Sequence, residues 1–192
     1  MRAAHRAIVT ETNKDHPIFW FWSYAQKPLF SQANVLKLAP GLTATTIQNW
    51  ANRSIVNALI EMKEVRGRRY YDSIQVRRIV LGQRLIDDFD LHPAKAMLLI
   101  DYANLAVIDA WTDDAIAGAK TPDTKMPIKM EWIEQYWFVR APEIKNSVAV
   151  KASGLAGAIK KLGASIVIPY GRDLTELAAR AKKLYEDGRN ED

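Results

Sequence analysis

The chain has 192 residues, 48% hydrophobic and 26% charged, with no cysteine and a formal net charge of +5. That length holds one substantial domain or two small ones with real cores, and the composition is that of a soluble globular protein. Without cysteine there is no disulfide framework, thiolate metal site or cysteine nucleophile, and a reducing cytoplasm is the fitting compartment.

The opening residues MRAAHRAIVTETNKDH contain no long apolar core and do not read as a secretory leader. They belong to an arm over 1–28 that ends in PIFWFWSYAQK, with Phe19, Trp20, Phe21, Trp22 and Tyr24 close together. If extended, the arm sets Phe19 and Phe21 opposite Trp20 and Trp22. Padding of the core against the first helix is the preferred role, and a subunit contact is the alternative. Ser31 then opens SQANVLKLAPG as an N-cap, with Val35, Leu36, Leu38 and Ala39 on one helix face. Pro40-Gly41 stops this helix. Thr43 is a second N-cap candidate, and TATTIQNWANRSIV continues from it as a helix with Ile47, Trp50 and Ala51 facing inward. Two short helices around a glycine-containing turn predict a helix-turn-helix.

NALIEMKEV and RRYYD flank Arg66-Gly67 and predict a β-hairpin. Asp72 or Ser73 caps the next helix, SIQVRRIVLGQRLIDDF, with apolar Ile74, Val76, Ile79, Val80, Leu81, Leu85 and Ile86. Pro93 fits the first turn of one long helix running to about Ala117. This helix is the candidate dimer contact. Its apolar stretch from Ala94 to Ala110 is broken by Lys95, Asp101, Asn104 and Asp109, and is too short and too charged for a membrane span. A linker is expected over 118–129, where two prolines and a glycine cluster. Beyond it EWIEQYWFVRA and SVAVKA read as strands, GLAGAIKKLG as a helix, ASIVIPY as a strand and RDLTELAARAKKLYEDG as an amphipathic helix. That order predicts a small α/β domain over 130–192.

The charge is local. Between Lys63 and Arg84 seven basic residues face two acidic ones, an excess equal to the +5 of the whole chain. A concentrated cationic patch suggests an anionic polymer as partner.

Taken together, SQANVLKLAPGLTATTIQNWANRSIV followed by GRRYYDSIQVRRIVLGQRLIDDFDLHPAKA resembles the DNA-binding domain of the MerR family of transcription regulators, over about 29–100. Gly41-Leu42-Thr43 matches the family's turn into the second helix, and Gly67, Arg69 and Tyr71 match its Gly-x-Arg-x-Tyr wing. The resemblance implies a mainly α, winged helix-turn-helix domain over 29–92, here joined by the long helix 93–117 to the α/β domain. It implies a sequence-specific regulator of bacterial or phage type, nucleoid-associated, that binds double-stranded DNA as a homodimer. Helix 43–53 enters the major groove and wing 63–71 lies on the backbone or minor groove. The family's basic positions in the second helix are Thr45 and Gln48 here, and its sensing cysteines are absent, so DNA binding carries over and effector sensing does not.

Gln48 and Asn49 each suit a bidentate contact to adenine. Thr43, Thr45 and Thr46 suit phosphate or a thymine methyl, and Asn52 and Arg53 suit backbone phosphate. Trp50 reads as core. Arg66 and Arg68 sit at the wing's tip, the family signature selects Arg69 and Tyr71 for DNA, and Tyr70 then packs. Arg77 and Arg78 either add phosphate contacts or form a solvated helix face. His5, His16 and His92 lack ligand spacing, so no metal site is expected. The acidic runs at Asp87, Asp88, Asp90 and at Asp113, Asp114 read as helix ends and caps, and Ser153-Gly154 as a tight turn. With no nucleophile-base constellation, no catalytic residue and no cofactor are assigned and the chain reads as a non-enzyme. Competing roles are an excisionase-like or architectural DNA-binding factor, and an enzyme with its site in the α/β region. A small effector or a protein partner at the C-terminal domain is a further expectation.

Overall fold

The computed structural model of the chain describes residues 15–53, 63–65, 67–118, 130–164 and 166–189. The first half of the arm (1–14), the start of the hairpin's first segment, Arg66 and all of the 118–129 linker except Gly118 lie outside these residues. The elements in order are α1 (Pro17–Ser23), β1 (Phe30–Ser31), α2 (Gln32–Leu38), α3 (Ala44–Asn52), β2 (Lys63–Val65), β3 (Arg68–Tyr71), α4 (Ser73–Phe89) and α5 (Pro93–Gly118). After a 3-10 segment at Met130–Gln135 come β4 (Tyr136–Arg140), β5 (Val148–Lys151), α6 (Leu155–Leu162), β6 (Ile166–Ile168) and α7 (Tyr170–Arg189). Helix dominates, with two small three-stranded sheets. No helix among the described residues is long and apolar enough to cross a membrane.

The chain divides into two compact units, Trp20–Tyr102 with Glu176–Asp192, and Met1–Phe19 with Ala103–Thr175. The divisions fall within α1, within α5 and within α7.

In the unit built on Trp20–Tyr102, β3 is the central strand of the order β1-β3-β2, all antiparallel. α2 packs on β1, β3 and α4. The aromatic run is helical in α1, so the alternation it would show if extended does not apply. Phe21 is buried, and its ring lies 6.1 Å from that of Phe30. Trp20 and Tyr24 stand 5.5 and 5.9 Å from Tyr185 of α7. Asp72, not Ser73, caps α4. Its side chain accepts from the Gln75 amide at 2.9 Å and Gln75 answers on the Asp72 amide at 2.9 Å, a reciprocal capping box. Val76, Ile79, Val80, Leu81 and Leu85 of α4 are buried, as are Met97, Leu99 and Ile100 of α5. Each such side chain contributes about 1.5–3 kcal/mol.

In the second unit β4 is central, in the order β5-β4-β6, and both neighbours run antiparallel to it. β5 and β6 are thus parallel to one another across β4, joined through α6, which packs on β4 and β5. This is a split β-α-β arrangement. The strand expected over EWIEQYWFVRA begins only at Tyr136, because Met130–Gln135 winds as 3-10 helix. That winding brings the backbone of Ile133 hard against Gly171, where an added Cβ would lie 1.7 Å from the Ile133 carbonyl oxygen. The Tyr170 hydroxyl donates to the Asn104 side chain at 3.1 Å, both groups buried.

Candidate nucleic-acid interface

The face offered by α3 is assembled from local chemistry. Ser31 caps α2, with its hydroxyl accepting from the Asn34 amide at 3.2 Å and its own amide donating to the Asn34 side chain at 2.9 Å. The helix ends at Leu38. The Leu42 amide then donates to the Ala39 carbonyl at 3.1 Å across Pro40 and Gly41, and Gly41 has φ +93°. Proline second and positive-φ glycine third are the requirements of a type II turn. Thr43 caps α3, its hydroxyl oxygen accepting from the Thr46 amide at 3.1 Å and lying 2.8 Å from the Thr46 hydroxyl. These two hydroxyls are therefore engaged with each other at the helix start. Ile47, Trp50 and Ala51 are buried, which leaves Thr45, Gln48, Asn49 and Asn52 exposed on the other side. Arg53 follows as the exposed C-cap.

The hairpin pairs Lys63 with Tyr70, Glu64 with Arg69 and Val65 with Arg68, which sets a short connection between its strands. Gly67 has φ +74°, the backbone such a short hairpin turn needs. Arg66 lies outside the described residues. Arg68 is exposed, Arg69 and Tyr70 are half-buried, and Tyr71 is 0% exposed. This corrects the expectation for the two tyrosines. β1 pairs Phe30 opposite Tyr71 and Ser31 opposite Tyr70, and directly opposed residues share a sheet face. Tyr71 therefore joins Phe30 in the core, and Tyr70 is the aromatic that reaches solvent. Burial raises the Tyr71 phenol above its ordinary value of 10.0, against the opposing influence of Arg69.

Arg77 and Arg78 meet neither expectation. Arg77 Nη2 lies 2.9 Å from Asp101 Oδ1. Arg78 Nε donates to both Asp101 oxygens, at 2.9 and 3.1 Å, with Nη2 at 2.8 Å. The Arg77 side chain is only 9% exposed, and its Nε is buried without a hydrogen bond. Helical phase carried a signal for this, since Arg77 falls on the same stripe as Val76, Val80 and Leu81. The partner in α5 carried none. Arg84 is also paired, with Asp88 at 3.6 Å. Three of the seven basic residues in the cationic stretch are thus engaged within the helices. Among the described residues near α3 and the hairpin, Arg53 and Arg68 are exposed and Arg69 is half-buried.

A second cluster lies in the other unit, where the sequence suggested only helix ends. The Tyr136 hydroxyl donates to Asp114, and Lys151 Nζ lies 2.7 Å from the same carboxylate. Lys151, then Tyr136, hold the Asp114 carboxyl below its ordinary value. Burial, then Asp114, push the Tyr136 phenol well up. Both partially exposed charges are satisfied by one another, and the cluster fastens α5 to β4 and β5. His16 accepts from the Ile18 amide at 3.3 Å, and His92 is exposed between α4 and α5. No group of three metal-ligating side chains occurs among the described residues. No protein-family model, no curated protein and no solved structure matches the chain.

Proposed function

We propose that the protein is a sequence-specific double-stranded DNA-binding regulator of the winged helix-turn-helix type. The observation that carries the reading is the polar face of α3, a capped helix held from behind by Ile47, Trp50 and Ala51 and set by a type II turn. Thr45, Gln48, Asn49 and Asn52 project from it, the short polar side chains that reach base edges in a major groove. The hairpin of β2 and β3 serves as the wing, with exposed Arg68, half-buried Arg69 and Tyr70 meeting the phosphate backbone or minor groove. Tyr71 and Arg77 leave the set of DNA contacts. Arg53 follows α3 as a phosphate contact.

The reading includes a homodimer, because one α3 reads only a short half-site. α5 supports it by leaving Leu98, Tyr102, Leu105 and Ile116 exposed on one helix face. The test begins by selecting bound fragments from a random DNA pool. Two-fold symmetry and a half-site spacing of about one helical turn are expected in what is recovered. On the selected fragment, Gln48→Ala and Asn49→Ala should each cost about 1–3 kcal/mol and relax preference at one base pair. Arg68→Ala should weaken all sequences alike and lower the salt slope by about one contact. Unchanged affinity in all three variants overturns the reading.

A further inference from the structure

We infer that Arg180, near the far end of the chain, is a positioning residue for α3. Its Nη2 donates to the Leu38 carbonyl at 2.6 Å and lies 3.5 Å from the Lys37 carbonyl. Those are end carbonyls of α2, which have no intrahelical donor. The amide of Ala39 turns back to Val35, and the carbonyl of Ala39 takes the Leu42 amide. Arg180 therefore closes the helix end on which the Pro40-Gly41 turn is built, one residue before that turn starts. A cation there also suits the negative end of the α2 dipole.

The guanidinium is held in place by its own helix. Leu177, Ala178 and Ala181 of α7 are buried, and Tyr185, a turn further on, stands against Trp20 and Tyr24. Arg180 does not need to touch a ligand to matter. Without it the last turn of α2 loses its closing donor, the type II turn loses a fixed start, and Thr43 no longer caps α3 in one orientation. Its effect on DNA rests on the reading proposed above, whereas its effect on the turn does not.

The experiment uses the full chain as Arg180→Gln, Arg180→Lys and, as a control for charge on α7, Lys183→Gln. Amide hydrogen exchange is followed at Leu42 and Thr46, with Ile79 in α4 as an internal reference. In Arg180→Gln the Leu42 and Thr46 amides should exchange about three- to tenfold faster, the range to which one hydrogen bond's net contribution converts, with Ile79 unchanged. Affinity for the selected DNA should fall by a similar factor, with the salt slope unaltered. Arg180→Lys should recover part of both, and Lys183→Gln should change neither. Unchanged exchange at Leu42 overturns the inference, as does acceleration of Ile79 in step with it, which would make Arg180 a general fold contact. A salt slope reduced by one contact would make Arg180 a phosphate ligand and overturn it too. Failure of the unmodified chain to bind any DNA would sink the regulator reading, and the exchange at Leu42 would still decide the role of Arg180.

Discussion

Asp101 accepts from two guanidinium groups at once, and it is the one partner that the more buried of them, Arg77, has for its charge among the described residues. Breaking such a pair from one side leaves a cation stranded, whereas replacing both sides with apolar groups is far milder. Asp101→Ala should therefore destabilise the protein by about 3 kcal/mol, and Arg77→Met with Asp101→Leu should recover most of that loss. Urea denaturation of the three chains measures it. A loss below about 0.5 kcal/mol for Asp101→Ala would class the pair with solvent-exposed bridges. The same contact shows where residue-level reading of the sequence reaches its limit. Period and phase located Ile47, Trp50 and Ala51 in the core correctly, because helical spacing is a local property. They do not reach Tyr71, which the wing signature assigns to DNA but whose face depends on pairing with the two-residue β1, or the partner of Arg77, which lies in another helix.

Elements follow from the sequence where their ends are marked by chemistry. Ser31, Thr43 and Asp72 were readable as caps because each is a short side chain with an oxygen placed to take an N3 amide. The sequence leaves the state of the α1 segment open, because alternating Phe and Trp imitate a strand while seven residues are too few for a 3.6-residue period to show. The strand expected over EWIEQYWFVRA takes in Glu131–Gln135, which winds as 3-10 helix instead, and nothing in EWIEQ marks such a turn. That turn has a consequence at Gly171. The Ile133 carbonyl occupies the space a side chain would need, with 1.7 Å left to an added Cβ, and the atoms in the way belong to the backbone, which cannot swing aside. Gly171→Ala should force the start of α7 away from the 3-10 segment and cost about 3 kcal/mol or more. A thermal melt lowered by less than about 2 °C would mean that the backbone yields without loss.

At the scale of the whole molecule, the two units are not consecutive stretches of chain. α1, α5 and α7 each begin in one unit and end in the other. These crossings lie inside continuous helices and leave no mark in composition, whereas two prolines and a glycine mark 118–129. The physical consequence is that the segment bearing α3 and the hairpin lacks part of its own core. Leu177, Ala178 and Ala181 are buried, Tyr185 stands against Trp20 and Tyr24, and Arg180 closes α2, yet all five come after Thr175, whereas the rest of the unit ends at Tyr102. Burial of one leucine and two alanines, with the two ring contacts, amounts to about 4 kcal/mol. A small domain has only about 5–15 kcal/mol in total. A fragment of residues 15–102 should therefore show no cooperative thermal transition by circular dichroism. A peptide of residues 170–192 added to it should restore one in a concentration-dependent way, and the same peptide carrying Arg180→Gln and Tyr185→Ala should do so less well. Cooperative melting of the fragment alone, near the temperature of the full chain, would show that the C-terminal helix is an ornament to this unit and not a part of it.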